Sequence, residues 1–320
     1  MTTSAHGLAT RLQAAMGEII AGGEATTFGL LVGLLGRGHV LVEGVPGTGK
    51  TLAVRALALL LGLEFKRVQF TPDLMPADVV GTTVFNPQTL QFSTRPGPIV
   101  ANIVLADEIN RTPPKTQSAL LEAMEEGRVT IDGAAIVLPR PFMVCATQNP
   151  IEYEGTYPLP EAQLDRFMIK VEADYPLPAQ ELALIARAAA GFDARDLETA
   201  GVRAVTSADE VIAAQEELRR THVSPSVQKY VYDTVAATRS HPHAALGASP
   251  RAALALLVAS QAAALIDGRD FVTPDDVKAV AQPVLAHRLI VRPHAEIEGV
   301  SARDVLTDVL AATPVPREAA

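Results

Sequence analysis

The stretch Gly44-Val45-Pro46-Gly47-Thr48-Gly49-Lys50-Thr51 follows the apolar run His39-Val40-Leu41-Val42-Glu43 and precedes Leu52-Ala53-Val54-Arg55-Ala56-Leu57-Ala58-Leu59-Leu60. The order reads as strand, tight glycine-rich loop, helix. Glycines at this spacing let the backbone turn its N–H groups onto a phosphate at the positive end of the helix that follows. Lys50 then reaches the outer phosphates, and the Thr51 hydroxyl is a ligand for Mg2+. Gly44, Pro46, Gly47, Thr48, Gly49, Lys50, Thr51 and Leu52 are therefore candidate nucleotide-binding residues in a P-loop.

Downstream, the run from Ile99 to Glu108 reads as an apolar strand that delivers two adjacent carboxylates at its C-terminal end. Neighbouring strand residues point to opposite faces, so the pair divides its labour. Asp107 is placed to hold the metal that Thr51 also approaches, and Glu108 to polarise a water for attack on the terminal phosphate. A further strand, Phe142 to Thr147, ends at Gln148-Asn149-Pro150, where the Asn149 amide is placed beside the carboxylates and can hold the attacking water. After Gly62 ends the P-loop helix, Phe65 to Phe70 reads as the next strand of a βαβ unit. Two hairpins interrupt the α/β alternation, one at Thr82–Phe85 and Leu90–Ser93, the other turning at Asp132-Gly133 within 128–138. The run Pro160-Glu161-Ala162-Gln163-Leu164-Asp165-Arg166-Phe167 precedes a last strand, Met168 to Val171, and on local grounds Arg166 pairs with Asp165 or Glu161.

Upstream, Leu8–Ile20 and Phe28–Leu35 have helical spacing and lead into the P-loop strand. From Pro176 the composition shifts to Ala- and Leu-rich helices whose starts are marked by Ser or Thr with Pro or Asp behind. These are Pro178–Ala190, Ser207–Arg220, Ser224–Arg239, Ser249–Asp267, Thr273–His287 and Ser301–Ala312. Arg251 falls in the first turn of its helix, where a cation opposes the dipole and an outside anion such as phosphate would offset the cost.

At 320 residues the chain exceeds one ordinary core and suits two domains. The division expected is N-terminal helices over 1–36, a nucleotide-binding α/β domain with a parallel sheet over 37–176, a smaller all-α lid over 177–315 and a tail at 316–320. An apolar share of 48% with 20% charged residues is that of a folded protein. A net charge of −9 disfavours a general nucleic-acid scaffold. The single Cys145 lies in an apolar run and excludes an intrachain disulfide, no apolar run reaches membrane-spanning length, and Met1–Thr10 lacks a secretory pattern. The chain reads as soluble and cytoplasmic. Its seven histidines form no metal motif, so no metal beyond nucleotide-bound Mg2+ is expected.

Together these motifs resemble the AAA+ ATPases, and their wording is most similar to the MoxR family. The matching segments are Gly44 to Thr51, Val104 to Arg111, Ala146 to Pro150, Pro160 to Phe167 and Ser249 to Ala252. The likeness runs from about Leu8 to Ala312 without a departure at a catalytic position. It implies a three-layer αβα P-loop domain followed by a helical lid, binding ATP with Mg2+ and hydrolysing it. It also implies a ring of identical subunits, commonly a hexamer, in which Arg166 reaches the nucleotide of its neighbour and Arg251 serves as a phosphate sensor. Lys50, Glu108, Asn149, Arg166 and Arg251 are then the catalytic set, with Thr51 and Asp107 on the metal. The resemblance further implies that the hairpins face the ring's pore or surface, and that Asn110 and Arg111 contribute to subunit contacts. It implies chaperone-like remodelling of a protein client, with a von Willebrand factor A-domain partner. Competing readings are a ring ATPase acting on nucleic acid and an ATP-gated binding module with negligible hydrolysis.

Overall fold

Alternation along three short apolar strands builds the core. Val40 and Val42, Ile103 and Leu105, Met143 and Cys145 face one side of a sheet, while Leu41, Val104, Ala106, Val144 and Ala146 face the other. Both faces are buried, as a parallel sheet requires.

The computed structural model describes residues 4–150 and 155–316. The chain begins with α1 (Ala5–Ile19) and α2 (Glu24–Leu35), then β1 (Val40–Glu43), α3 (Lys50–Leu61), β2 (Phe65–Gln69) and α4 (Pro76–Val80). A hairpin of β3 (Gly81–Asn86) and β4 (Gln91–Pro96) precedes β5 (Ile103–Asp107) and α5 (Pro114–Glu126). A second hairpin, β6 (Arg128–Ile131) and β7 (Ala134–Val137), leads to β8 (Met143–Gln148), the short α6 (Glu161–Leu164) and β9 (Ile169–Glu172). The rest is helical apart from two short strands: α7 (Pro178–Ala189), α8 (Ala208–Leu218), α9 (Pro225–Ser240), β10 (Ala244–Leu246), α10 (Pro250–Ile266), α11 (Pro274–Leu285), β11 (Ile290–Val291), α12 (Pro293–Ile297) and α13 (Ala302–Ala312).

The sheet is parallel with strand order β2-β5-β8-β1-β9. From β1 the chain first crosses to β2 on one side and only later returns to β9 on the other. The carboxyl end of β1 is therefore a switch point, the place where open α/β sheets leave a crevice for ligands. Helices α2 and α3 pack on one face, and Leu120, Leu121 and Met124 of α5 on the other. Helix α1 touches α3 but also α8 and α10, so one continuous core joins the sheet to the C-terminal helices.

Helix signals translate closely. Gly62 takes the left-handed conformation that ends α3, and Ser207, Ser224, Ser249, Thr273 and Ser301 each accept a backbone N–H at the start of the helix that follows. Three expectations need correction. The strand foreseen from Ile99 starts at Ile103, because Gly97 and Ile99 carbonyls accept from Val100 and Ala101 in a turn. Glu108 lies beyond the strand in a left-handed conformation, φ 57° and ψ 51°, so strand alternation does not aim it. The C-terminal region carries a two-stranded antiparallel ribbon, β10 with β11, within its helices.

Burial also sets two titratable groups. The Cys145 thiol is pushed up by desolvation and stays protonated. His39 receives the Val144 N–H on Nδ1 at 3.0 Å, so the proton sits on Nε2 and is donated to Met124 O at 3.1 Å. Burial holds this ring neutral, with its pKa lowered from 6.5 to about 4. Between those values the unfolded chain binds the proton and the folded chain does not, so this contribution to stability is complete above 6.5 and is lost as pH falls toward 4. Thermal melts should decline across that window, by roughly 3 kcal/mol at most from this residue, and the decline should shrink in His39→Gln. An equal decline in both proteins would sink this assignment.

Candidate active site

The loop after β1 is shaped by backbone constraints before any side chain acts. Gly47 and Gly49 have φ of 86° and 81°, and a Cβ at Gly44 would collide with the Ala173 carbonyl. The loop closes on itself through Thr48 Oγ1, which donates to Val45 O at 3.0 Å. Lys50, the first residue of α3, donates through Nζ to the carbonyls of Gly44 and Val45, the latter at 2.9 Å. Its ammonium thus lies over the loop at the N-terminal end of α3.

Parallel register brings the other strand ends to the same place. Gln69 pairs with Asp107 across β2 and β5, and Glu43 with Gln148 across β1 and β8. A cleft of about 410 Å³ results, lined by Pro46 to Leu52 together with Arg67, Gln69, Asp107, Glu108, Thr147, Gln148 and Asn149. Asp107 is buried at its centre. Its Oδ1 accepts from Thr147 Oγ1 at 2.5 Å, and its Oδ2 from Thr51 Oγ1 at 3.3 Å and from Arg67 at 2.6 and 3.0 Å. Hard oxygens from a carboxylate and a hydroxyl, already facing a guanidinium cation, suit Mg2+.

Glu108 is held differently. Its N–H donates to Thr147 Oγ1 at 2.8 Å, and its carboxylate accepts from Gln69 Nε2 at 2.7 Å and Arg111 at 3.1 Å. Arg67 donates in turn to Gln69 Oε1 at 2.8 Å, so both carboxylates share one chain of hydrogen bonds. Arg67, Gln69 and Thr147 received no role from the sequence. The signal was there in polar side chains on alternate positions at a strand end, but their target emerges only once β2 and β8 are known to flank β5.

One further cavity borders this cleft, and another adjoins that one. The smaller, about 280 Å³, runs from Thr48, Gly49 and Lys50 to Ile20, Gly22, Gly23, the first turn of α2 and the end of β9. The larger, about 530 Å³, lies between α2, β9, α11 and the start of α13 and lacks the glycine loop.

Arg166 and Arg251 lie elsewhere, along a separate cavity of about 300 Å³ that shares no residue with the P-loop cleft. The local pairing expected for Arg166 is not formed. It donates to Glu125 Oε2 at 3.0 Å, and Arg251 to Glu125 Oε1 at 2.5 Å. Arg166 first, and then Arg251, hold the Glu125 carboxyl below the usual range. The anion that offsets Arg251 against its helix dipole is therefore a side chain of the same subunit.

Known proteins resemble this chain along most of its length. Residues 39–169 match the ATPase family associated with various cellular activities (AAA), and residues 236–309 match the AAA lid domain. An uncharacterized protein of Bacillus subtilis, YeaC, is 50% identical over 89% of this chain and 88% of its own length. Chaperone MoxR1 of Mycobacterium tuberculosis is 43% identical over 94% of this chain and 80% of its own. A crystal structure of a candidate ATPase from Cytophaga hutchinsonii superposes with a TM-score of 0.89 at 39% identity, covering 98% of this chain and 96% of that one.

The left-handed backbone of Glu108 has a measurable consequence. A side chain there costs about 1 to 2 kcal/mol, so Glu108→Gly should be more stable than Glu108→Ala by about 1 kcal/mol in denaturant unfolding. Equal stabilities, or a more stable alanine variant, would show that the turn carries no strain.

Proposed function

This chain belongs to the MoxR family of AAA ATPases, and on that footing we propose that it is a Mg2+-dependent ATP hydrolase working in rings of identical subunits to remodel a protein client. One observation carries the reading. Lys50, Thr51, Asp107, Glu108 and Asn149 line one cleft, while Arg166 and Arg251 sit together in another.

In the first cleft the N–H groups of the glycine loop and of the start of α3 would receive phosphate oxygens. Lys50 exchanges its loop carbonyls for the outer phosphates. Thr51 and Asp107 would hold Mg2+, which when bound supplies neutralisation of the phosphate charge. Arg67 then shares or yields the Asp107 oxygen it now occupies, which also frees its bond to Gln69. Glu108, released by Gln69 and Arg111, takes a proton from the water that attacks the terminal phosphorus as the bridging P–O bond breaks. Asn149 orients that water. The base and ribose would lie in the adjoining cavity beside Gly22, Gly23, the first turn of α2 and the end of β9.

Arg166 and Arg251 are read as acting on the nucleotide of an adjoining subunit, since they are remote from their own P-loop. A ring, hexameric by family resemblance, follows from that need. Exposed apolar side chains on the hairpins, Leu90 and Phe92 on one and Val137 on the other, support contact with polypeptide. The name of the mycobacterial relative, a chaperone, supports remodelling, and a von Willebrand factor A-domain partner is proposed from the resemblance alone. A cytoplasmic site of action suits a chain whose one cysteine is buried and reduced, and no helix among the described residues is long and apolar enough to cross a membrane. The net charge of −9 weighs against nucleic acid as the substrate.

Mixing subunits tests the reading. Lys50→Ala and Arg166→Ala proteins should each lose most ATPase activity, the arginine variant by about 10³- to 10⁵-fold, and together they should recover a measurable part. No recovery places Arg166 in its own subunit's reaction. Glu108→Gln should retain nucleotide while kcat falls about 10²- to 10⁴-fold; an unchanged single-turnover rate would favour a binding module instead.

A further inference from the structure

The two arginines come from distant parts of the chain, and neither is positioned by its own element. Arg166 follows α6, a helix of four residues that cannot hold its own direction. Arg251 stands in the first turn of α10. Both meet at Glu125, but Glu125 is exposed, so its two bonds do not set the spacing alone.

Behind them lies a buried cation with no role in the reaction derived above. The Arg288 side chain, in the 3-10 turn after α11, is 2% exposed. Nε donates to Asp165 Oδ1 at 2.6 Å, and the terminal nitrogens donate to the carbonyls of Asp165 at 3.1 Å, Phe167 at 2.7 Å and Met168 at 3.1 Å, and to that of Val284. The five donors of the guanidinium are all used. All but one clasp the segment around Arg166. The other oxygen of Asp165 accepts from Ser249 Oγ at 3.2 Å, and Ser249 is the residue that caps α10 just before Arg251. Asp165 therefore joins Arg288, the Arg166 segment and the start of the Arg251 helix at one carboxylate. Were adhesion the only demand, apolar packing would serve this position at least as well as a buried charge. Directional donors do what apolar groups cannot, which is to select one conformation of the clasped backbone.

We propose that Arg288, acting through Asp165, is a positioning residue that fixes Arg166 and Arg251 as one unit aimed at an anion outside the subunit. The inference rests on the reading that these two arginines serve a neighbouring subunit's nucleotide. It makes the junction between the α/β domain and the helical region part of the catalytic apparatus.

The test uses full-length Asp165→Asn, which preserves shape, and Arg288→Met, each alone and mixed with Lys50→Ala subunits. Thermal melts and binding of a fluorescent ATP analogue are measured alongside kcat. Loss of alignment should lower kcat by about 10- to 100-fold, with nucleotide affinity within about threefold of the parent. Because Lys50→Ala subunits bring intact arginine pairs, mixing should restore part of the rate. Arg166→Ala mixed with Lys50→Ala is the control. If the control recovers and the Asp165→Asn mixture does not, or if Asp165→Asn keeps full kcat, the positioning role is wrong while the neighbour reading stands. If the control itself fails, both fall together.

Discussion

The carboxylate of Asp107 is the point on which the site depends. Thr51 reaches it from the P-loop helix, Thr147 from β8 and Arg67 from β2, and no two of these lie on the same element. They converge because β5 is the inner strand between β2 and β8, in parallel register, so all the relevant strands end on one side of the sheet. A carboxylate at that depth is tolerable only when hydrogen bonds or cations satisfy its oxygens. The same requirement that makes it costly when alone makes it a natural seat for a metal.

A second constraint is the core shared between the sheet and the C-terminal helices. Residues of α1, α2 and α3 pack with those of α8, α10 and α11 in one hydrophobic cluster. The helical region is therefore seated on the sheet's flank and carries Arg251 to the side on which Arg166 emerges. Glu125 then binds both arginines, and Asp165 accepts from Ser249 at the start of the helix that carries Arg251. On the proposed reading, a subunit presents a phosphate cradle on one side and cations on another, and only assembly completes either.

Much of this was legible in the linear chain. The glycine spacing around Lys50, the apolar run into Asp107 and the Ser and Thr caps act over a few residues, so local pattern suffices to read them. Glu108 shows where that stops. Strand alternation gives a reason for its direction, but the strand has already ended, and a left-handed turn aims the carboxylate at Gln69 and Arg111. For Arg166, neighbours in sequence suggested Asp165 or Glu161, whereas Asp165 belongs to an arginine 123 positions away. Charged partners at long range leave no periodic trace.

What the residue order determined by itself was the α/β class, the nucleotide loop and the family, because backbone geometry at glycines and the two-residue repeat of buried strands are local properties. What the tertiary structure alone decided was which polar groups share an oxygen and which side of the subunit each arginine faces. Those depend on strand order and on the docking of one region against another, where side chains far apart in the chain compete for the same few ångströms.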